Sequence, residues 1–125
     1  MRKQYHFRRS GDDTLIWDCD RLVELSRGLP RVMIPLDSIR ELDEAYWGGG
    51  GEAHMTCRQF VEHMRLTRDA DLSYPIILSA DGRVMDGMHR VARAALEGRH
   101  EIACVRFDRD PEPDFVNVEE SDLPY

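Results

Sequence analysis

The chain has 125 residues, of which 42% are hydrophobic and 33% charged, with a formal net charge of −7 at pH 7. These values predict one soluble domain with a single core over residues 1–125. No run of about 18–20 apolar residues is present, which argues against a membrane helix. The acidic balance disfavours non-specific DNA binding, because that binding depends on basic side chains that neutralise phosphates.

The N-terminus is basic and no apolar run follows it, so a signal peptide is not predicted and we expect a cytoplasmic protein. Residues 108–125 carry seven acids and form a separate acidic tail. Arginine outnumbers lysine 16 to 1, which keeps two-pronged contacts to anions available. Cys19, Cys57 and Cys104 are spaced too irregularly to predict a disulfide framework or a zinc site.

Residues 1–30 form an N-terminal extension that is predicted to be a strand or hairpin followed by a short helix. The strand is TLIWDCD, and DCDRLVELSRG supplies an aspartate cap, apolar spacing and a terminal glycine. Residues 31–107 form the core and begin with RVMIPLDSI, whose proline favours an edge strand. A loop then carries Gly48 to Gly51, the one evident flexible element of the chain.

A second helix is predicted to begin at Thr56, whose hydroxyl can cap it. Two short strands follow, joined by a hairpin turn at Asp81-Gly82. The third helix is MHRVARAALEG, with Gly98 at its end, and EIACVRF is the last strand. The sequence therefore predicts a small α+β domain with a short mixed sheet and about three helices. Two interpretations of the acidic tail stay open, since it either wraps the domain or is partly disordered.

The segment RVMDGMHRVARAALEG, residues 83–98, combines a strand end, a glycine and a helix start. A glycine there allows close backbone approach, and the unpaired amides of a first helical turn favour an anion. His89 and Arg90 have side chains that donate to phosphate oxygens. The carboxylate of Asp86 would repel a bare phosphate. Its alternative roles are to cap the helix or to bind a metal or a hydroxyl. A purely structural helix start is an equally good interpretation of this segment.

The run YPIILSADGRVMDGMHRVARAALEGRHEIACVRF, preceded by RVMIPLDSIREL, resembles the ParB/sulfiredoxin superfamily in the order and spacing of its motifs over residues 31–107. In sulfiredoxins a cysteine follows the glycine of GMHR, and here that position is Met88, which argues against sulfinate reduction. In chromosome-partitioning ParB proteins the corresponding segment binds CTP, while a separate helix-turn-helix region binds DNA. In related small-molecule kinases an acidic residue after the first strand activates the substrate hydroxyl.

The resemblance implies a nucleotide-binding domain, either a nucleoside-triphosphate hydrolase or a small-molecule kinase that uses ATP or CTP with Mg²⁺. The residues that it implies for binding phosphate are Gly87, Met88, His89, Arg90, Arg40, Thr56 and Arg58. It implies Glu41 and Asp86 as catalytic acids, with Asp43 or Glu44 as substitutes for Glu41. The alternative is a non-catalytic regulatory module that binds a protein partner or forms a homodimer. A ParB-like nuclease or DNA-partitioning role comes third.

Aromatic and histidine side chains offer two weaker hypotheses. Tyr46 and Trp47 either stack on a nucleobase or pack on the protein body, and packing is the commoner outcome. A metal site of His54 and His63 would need a third ligand such as His89 or Cys57, and we do not predict one.

Overall fold

The computed structural model describes residues 3–47 and 55–125, and there it shows an α+β fold. The fold class predicted from the sequence is confirmed. The strands are β1 (Tyr5–Ser10), β2 (Asp13–Asp18), β3 (Val32–Pro35), β4 (Ile76–Leu78), β5 (Val84–Asp86), β6 (Glu101–Arg106) and β7 (Phe115–Val116). The helices are α1 (Cys19–Ser26), α2 (Cys57–Asp69) and α3 (Met88–Leu96), and short 3-10 turns cover Leu36–Ser38, Arg40–Asp43 and Glu120–Asp122. The predicted flexible run Gly48–Gly51 and His54 lie outside the described residues.

The central sheet has the strand order β3-β6-β4-β5. Strand β6 is parallel to β4 and antiparallel to β3, so the sheet is mixed, and β3 is an edge strand as its proline predicts. Strands β4 and β5 form an antiparallel hairpin. Its turn contains Asp81 and Gly82, and Gly82 adopts a φ of +88° that other residues rarely tolerate. The predicted hairpin is confirmed.

Side chains alternate along the central strands and build a core on each face of the sheet. One core joins the sheet to α3 and to the first 3-10 turn; its buried members are Leu36, Ile39, Ile76, Leu78, Val84, Met88, Val91, Ala94, Ile102 and Cys104. The other core joins the sheet to β2 and α1; its buried members are Trp17, Leu22, Ile77, Met85, Val105 and Phe107. The sheet therefore lies between α3 and the N-terminal extension.

The acidic tail wraps the N-terminal hairpin, which settles the two interpretations of its composition. Strand β7 pairs with β2, and the indole nitrogen of Trp17 donates to the carbonyl of Pro111 at 2.8 Å. Leu123 is buried, and Arg8 forms an ion pair with Asp110 at 2.8 Å. The basic start of the chain and its acidic tail therefore neutralise each other in part.

Helix α2 begins as the sequence predicts. Thr56 accepts from the amide of Gln59, and the Gln59 side chain accepts from the amide of Thr56, a reciprocal cap. No helix within residues 3–47 and 55–125 is both long and apolar enough to cross a membrane.

Candidate functional site

The amino terminus of α3 is built around Gly87, which has a φ of +105°. A Cβ atom at this position would lie 2.8 Å from Cγ2 of Ile76 and 3.0 Å from Nη2 of Arg90. Glycine is therefore required by the backbone conformation and by the space available. No side chain of the described residues caps α3. The amide of Arg90 donates to the carbonyl of Gly87 at 3.0 Å, which leaves the amides of Met88 and His89 as the first-turn donors without a helical partner.

Arg90 and Asp86 form an ion pair across this glycine. Nη2 of Arg90 lies 2.9 Å from Oδ2 of Asp86, and its Nη1 donates to the carbonyl of Pro75 at 3.2 Å. Burial raises the pKa of Asp86 above its usual value, although the charge of Arg90 acts in the opposite direction. Asp86 thus serves as the ion-pair partner of Arg90, and the Arg90 guanidinium makes its contacts within the protein.

His63 and His89 join α2 to α3. Nδ1 of His63 lies 2.9 Å from Nε2 of His89, so one ring donates and the other accepts. The Trp47 indole covers both rings, with centroid distances of 4.5 and 4.6 Å and interplanar angles of 22° and 15°. Burial lowers the pKa of His63, and burial followed by the charge of His63 lowers the pKa of His89 to about 4. Trp47 therefore packs on the protein body above two neutral histidines.

The sequence does not predict a metal site at these histidines. Within the described residues, no group of three or more histidine, cysteine or acidic side chains is placed to hold a metal ion.

Glu41 is buried at the edge of the central sheet. It is 3% exposed, and its Oε2 accepts from the amide of Val84 at 2.7 Å and lies 3.3 Å from Nε of Arg83. Its Oε1 is buried and has no partner among the described residues. Glu44 binds the two terminal nitrogens of Arg83 at 2.9 and 2.5 Å. Glu41 therefore anchors the second 3-10 turn to β5.

A cleft of about 520 Å³ lies on the α3 face of the sheet, at the carboxyl ends of β4 and β6. Its lining is partly apolar and partly charged: Val32, Ile34, Ser38, Ile39, Arg40, Leu78, Asp81, Gly82, Cys104 and Arg106. Arg40 and Arg106 are exposed, and their side chains form no hydrogen bond or ion pair with any residue of the described ranges. Asp81 accepts from the hydroxyl of Ser79, a contact that keeps the pKa of Asp81 below its usual value.

The residues predicted to bind phosphate fall into separate places. Arg40 lines the cleft beside Leu78, the last residue of β4, whereas Arg90 contacts Pro75, just before that strand begins. Gly87, Met88 and His89 lie at the Arg90 end. Thr56 caps α2, and Arg58 is exposed on the first turn of that helix. The structure therefore places Arg40 and Arg90 at opposite ends of β4.

Sequence reasoning missed Arg106 as a site residue. Arg106 is two residues after Cys104 and four after Ile102 on β6, so the three side chains share one face of the strand. Ile102 and Cys104 belong to the core on the α3 side. The period of two in EIACVR would have placed Arg106 on that same face.

The chain was compared with protein-family models, with curated proteins and with solved structures, and none of them matches it.

Proposed function

We propose that this chain binds a nucleotide in the cleft between Arg40 and Arg106. The observation that carries the proposal is the presence, at a cleft of about 520 Å³, of two arginines whose side chains have no ion-pair partner among residues 3–47 and 55–125. Ligand pockets for small molecules have volumes of about 300–1,000 Å³ and combine apolar walls with a few polar groups. A guanidinium fork matches the oxygens of a phosphate group in geometry and charge.

Each part of the cleft fits one part of a nucleotide. Ile34, Leu78 and Cys104 supply an apolar floor for a base, and Arg40 and Arg106 supply donors for phosphates. Mg²⁺ that accompanies a nucleotide uses one or two carboxylates besides phosphate oxygens. Asp81 is a carboxylate in the cleft lining, which suits an ion carried in with the nucleotide better than a separate cation cage.

The side-chain contacts favour a protein that binds the nucleotide without catalysing its turnover. The two carboxylates predicted to be catalytic, Glu41 and Asp86, are absent from the cleft lining. Glu41 is an acceptor for β5, and Asp86 is paired with Arg90. We therefore favour a regulatory nucleotide-binding module over a kinase or a hydrolase. This keeps the nucleotide expected from the resemblance to the ParB/sulfiredoxin superfamily and moves its phosphates to Arg40.

The test is isothermal titration of the protein with ATP, CTP, GTP, inorganic tripolyphosphate and adenosine, with and without Mg²⁺. We expect Arg40→Ala and Arg106→Ala each to weaken triphosphate binding about 10- to 100-fold, the loss of about 1.5–3 kcal/mol typical of a hydrogen bond to a charged group. Arg109→Ala is the matched control, because Arg109 is an exposed arginine outside the cleft lining. It should leave affinity unchanged.

The second candidate for the phosphate site is the uncapped amino terminus of α3, and the same titrations separate the two. His89→Gln and Arg58→Ala affect residues outside the cleft and should leave affinity unchanged. If these variants lose binding while Arg40→Ala and Arg106→Ala keep it, the cleft is not the site. If no phosphate compound binds the parent protein, the proposal is wrong.

A further inference from the structure

One carboxylate, that of Asp110, ties the acidic tail to the rim of the cleft. Its Oδ2 lies 2.8 Å from Nη1 of Arg8 in β1, and its Oδ1 accepts from the amide of Ala80 at 2.8 Å. The next residue, Pro111, accepts from the indole nitrogen of Trp17, and the Arg8 guanidinium lies 4.8 Å from the centre of the Trp17 ring. Asp110 therefore joins β1 and the tail to the turn between β4 and β5.

Ala80 belongs to the turn that forms one wall of the cleft. It directly precedes Asp81 and Gly82, which both line the cleft. The turn is closed by its own backbone, because the amide of Gly82 donates to the carbonyl of Ser79 at 2.9 Å. The bond from Ala80 to Asp110 adds an anchor outside the turn, and this anchor fixes the orientation of the closed turn against the rest of the domain.

The side chain of Asp81 is held so that one of its oxygens is available. Its Oδ1 accepts from the hydroxyl of Ser79 and from the amide of Arg83 at 3.3 Å, whereas its Oδ2 forms no hydrogen bond or ion pair within residues 3–47 and 55–125. Mg²⁺ in proteins takes one or two carboxylates besides phosphate oxygens and requires near-ideal octahedral geometry. A cation bound by Oδ2 is therefore sensitive to the position of the turn.

We propose that Asp110 is a positioning residue of the cleft: its bond to the Ala80 amide places Asp81 to hold the divalent cation that accompanies a nucleotide. The inference rests on the nucleotide binding proposed above. It makes the ligand a complex of nucleotide and Mg²⁺, and it makes the acidic tail a support of the binding site. Arg40 and Arg106 act separately, since Asp110 forms no hydrogen bond or ion pair with either of them in the described part of the chain.

The test is isothermal titration of the full chain with ATP, CTP and GTP, each with and without Mg²⁺, with circular dichroism to confirm that each variant is folded. Mg²⁺ should strengthen binding to the parent protein. Asp110→Ala should lose about 10-fold of that gain, the lower end of the cost of removing a group that orients a metal ligand, and should keep the affinity measured without Mg²⁺. Asp110→Asn retains an oxygen for the Ala80 amide and should restore the gain.

Asp114→Ala is the matched control. Asp114 is also a tail carboxylate that accepts from a backbone amide, that of Asp18 at 2.8 Å, and pairs with an arginine, Arg21 at 3.0 Å, but neither partner lines the cleft. This variant should leave the gain from Mg²⁺ unchanged. Asp81→Asn removes the charge of the cation ligand itself, so its combination with Asp110→Ala should lose no more of the gain than Asp81→Asn alone.

Hydrogen exchange gives a second measurement that needs no variant. Cation binding at Asp81 and the bond from Ala80 to Asp110 favour each other, so a nucleotide with Mg²⁺ should slow exchange of the Ala80 amide in the parent protein. The amide of Asp18, which Asp114 holds, should exchange at an unchanged rate.

The outcomes separate the positioning role of Asp110 from nucleotide binding itself. A parent protein that binds no nucleotide overturns both proposals. The positioning role alone is overturned if the parent gains nothing from Mg²⁺, if Asp110→Ala keeps the full gain or Asp110→Asn fails to restore it, or if Asp114→Ala loses the gain as well. A double variant that loses more than Asp81→Asn, or an Ala80 amide whose exchange does not respond, would overturn it too and leave the cleft as the nucleotide site.

Discussion

Nη2 of Arg90 lies 2.9 Å from Oδ2 of Asp86, and both side chains are only 18% exposed. The pair spans Gly87, and Arg90 also donates to the carbonyl of Pro75. These contacts fix the start of α3 against the start of β4. Arg90 thus has a structural role that the segment GMHR alone does not reveal.

Arg90→Ala should destabilise the fold by about 2–3 kcal/mol at pH 7, because it leaves the Asp86 carboxylate buried without its partner. The pKa of Asp86 is already raised by burial, so its ionised form opposes folding above that pKa. Protonation should relieve this penalty, and the deficit of the variant should shrink as the pH falls from neutral towards the pKa of Asp86. Urea denaturation at a series of pH values measures both effects.

The control for this prediction is the double variant Asp86→Asn, Arg90→Ala, which has no carboxylate to protonate. It should recover part of the stability and lose the pH-dependent gain. An Arg90→Ala protein as stable as the parent would contradict the structural role and would return Arg90 to the list of candidate phosphate ligands.

The histidine pair predicts a loss of stability in mild acid. The pKa of His89 falls to about 4 in the folded state, from 6.5, and that of His63 is lowered as well. Their contribution to stability is therefore complete above about pH 6.5 and is lost as the pH falls towards 4. His89→Gln should lose about 2 kcal/mol less than the parent over this window. Denaturant unfolding at both ends of the window measures the difference.

His100→Gln is the matched control, because His100 is exposed and outside the cluster. It should lose as much stability in acid as the parent does. Equal acid losses in the parent and in His89→Gln would mean that burial and the neighbouring His63 do not keep His89 neutral.

Alanine substitutions at Gly82 and Gly87 distinguish the stability cost of backbone strain from that of steric clash. Gly82 and Gly87 both have a positive φ, +88° and +105°, but a Cβ atom would meet open space at Gly82 and Cγ2 of Ile76 at 2.8 Å at Gly87. Gly82→Ala should cost about 1–2 kcal/mol, the penalty of a left-handed conformation. Gly87→Ala should cost at least about 1 kcal/mol more, because a buried side chain must also move. Equal losses in free energy of unfolding would show that Ile76 yields easily.

Local chemistry explains why the secondary structure could be predicted from the sequence. Thr56 with Gln59, the Asp81-Gly82 turn and the glycine after α3 act on neighbouring backbone groups, so their patterns specify caps and turns directly. The proline of β3 likewise indicates an edge position from its own missing amide.

The candidate site depends on partners distant in the chain, which periodicity does not specify. His63 and His89 are 26 residues apart, and Glu41 reaches the amide of Val84 across 43 residues. The cleft combines Arg40 and Arg106 through the pairing of β3, β6 and β4. The sequence indicated which side chains carry charge, but the sheet order decides which of them meet.

Substitutions of Glu41 test whether its carboxylate has a structural or a catalytic role. It is 3% exposed and accepts from the Val84 amide at 2.7 Å, so Glu41→Ala leaves a buried amide without its acceptor and opens a cavity. We expect a loss of about 2–4 kcal/mol in the free energy of unfolding. Glu41→Gln keeps an acceptor oxygen and should lose less. Glu44→Ala removes only an exposed contact to Arg83 and should cost less stability than Glu41→Ala. A Glu41→Ala protein as stable as the parent would remove the structural explanation for this buried acid, and an assay for phosphoryl transfer would then be the measurement to make.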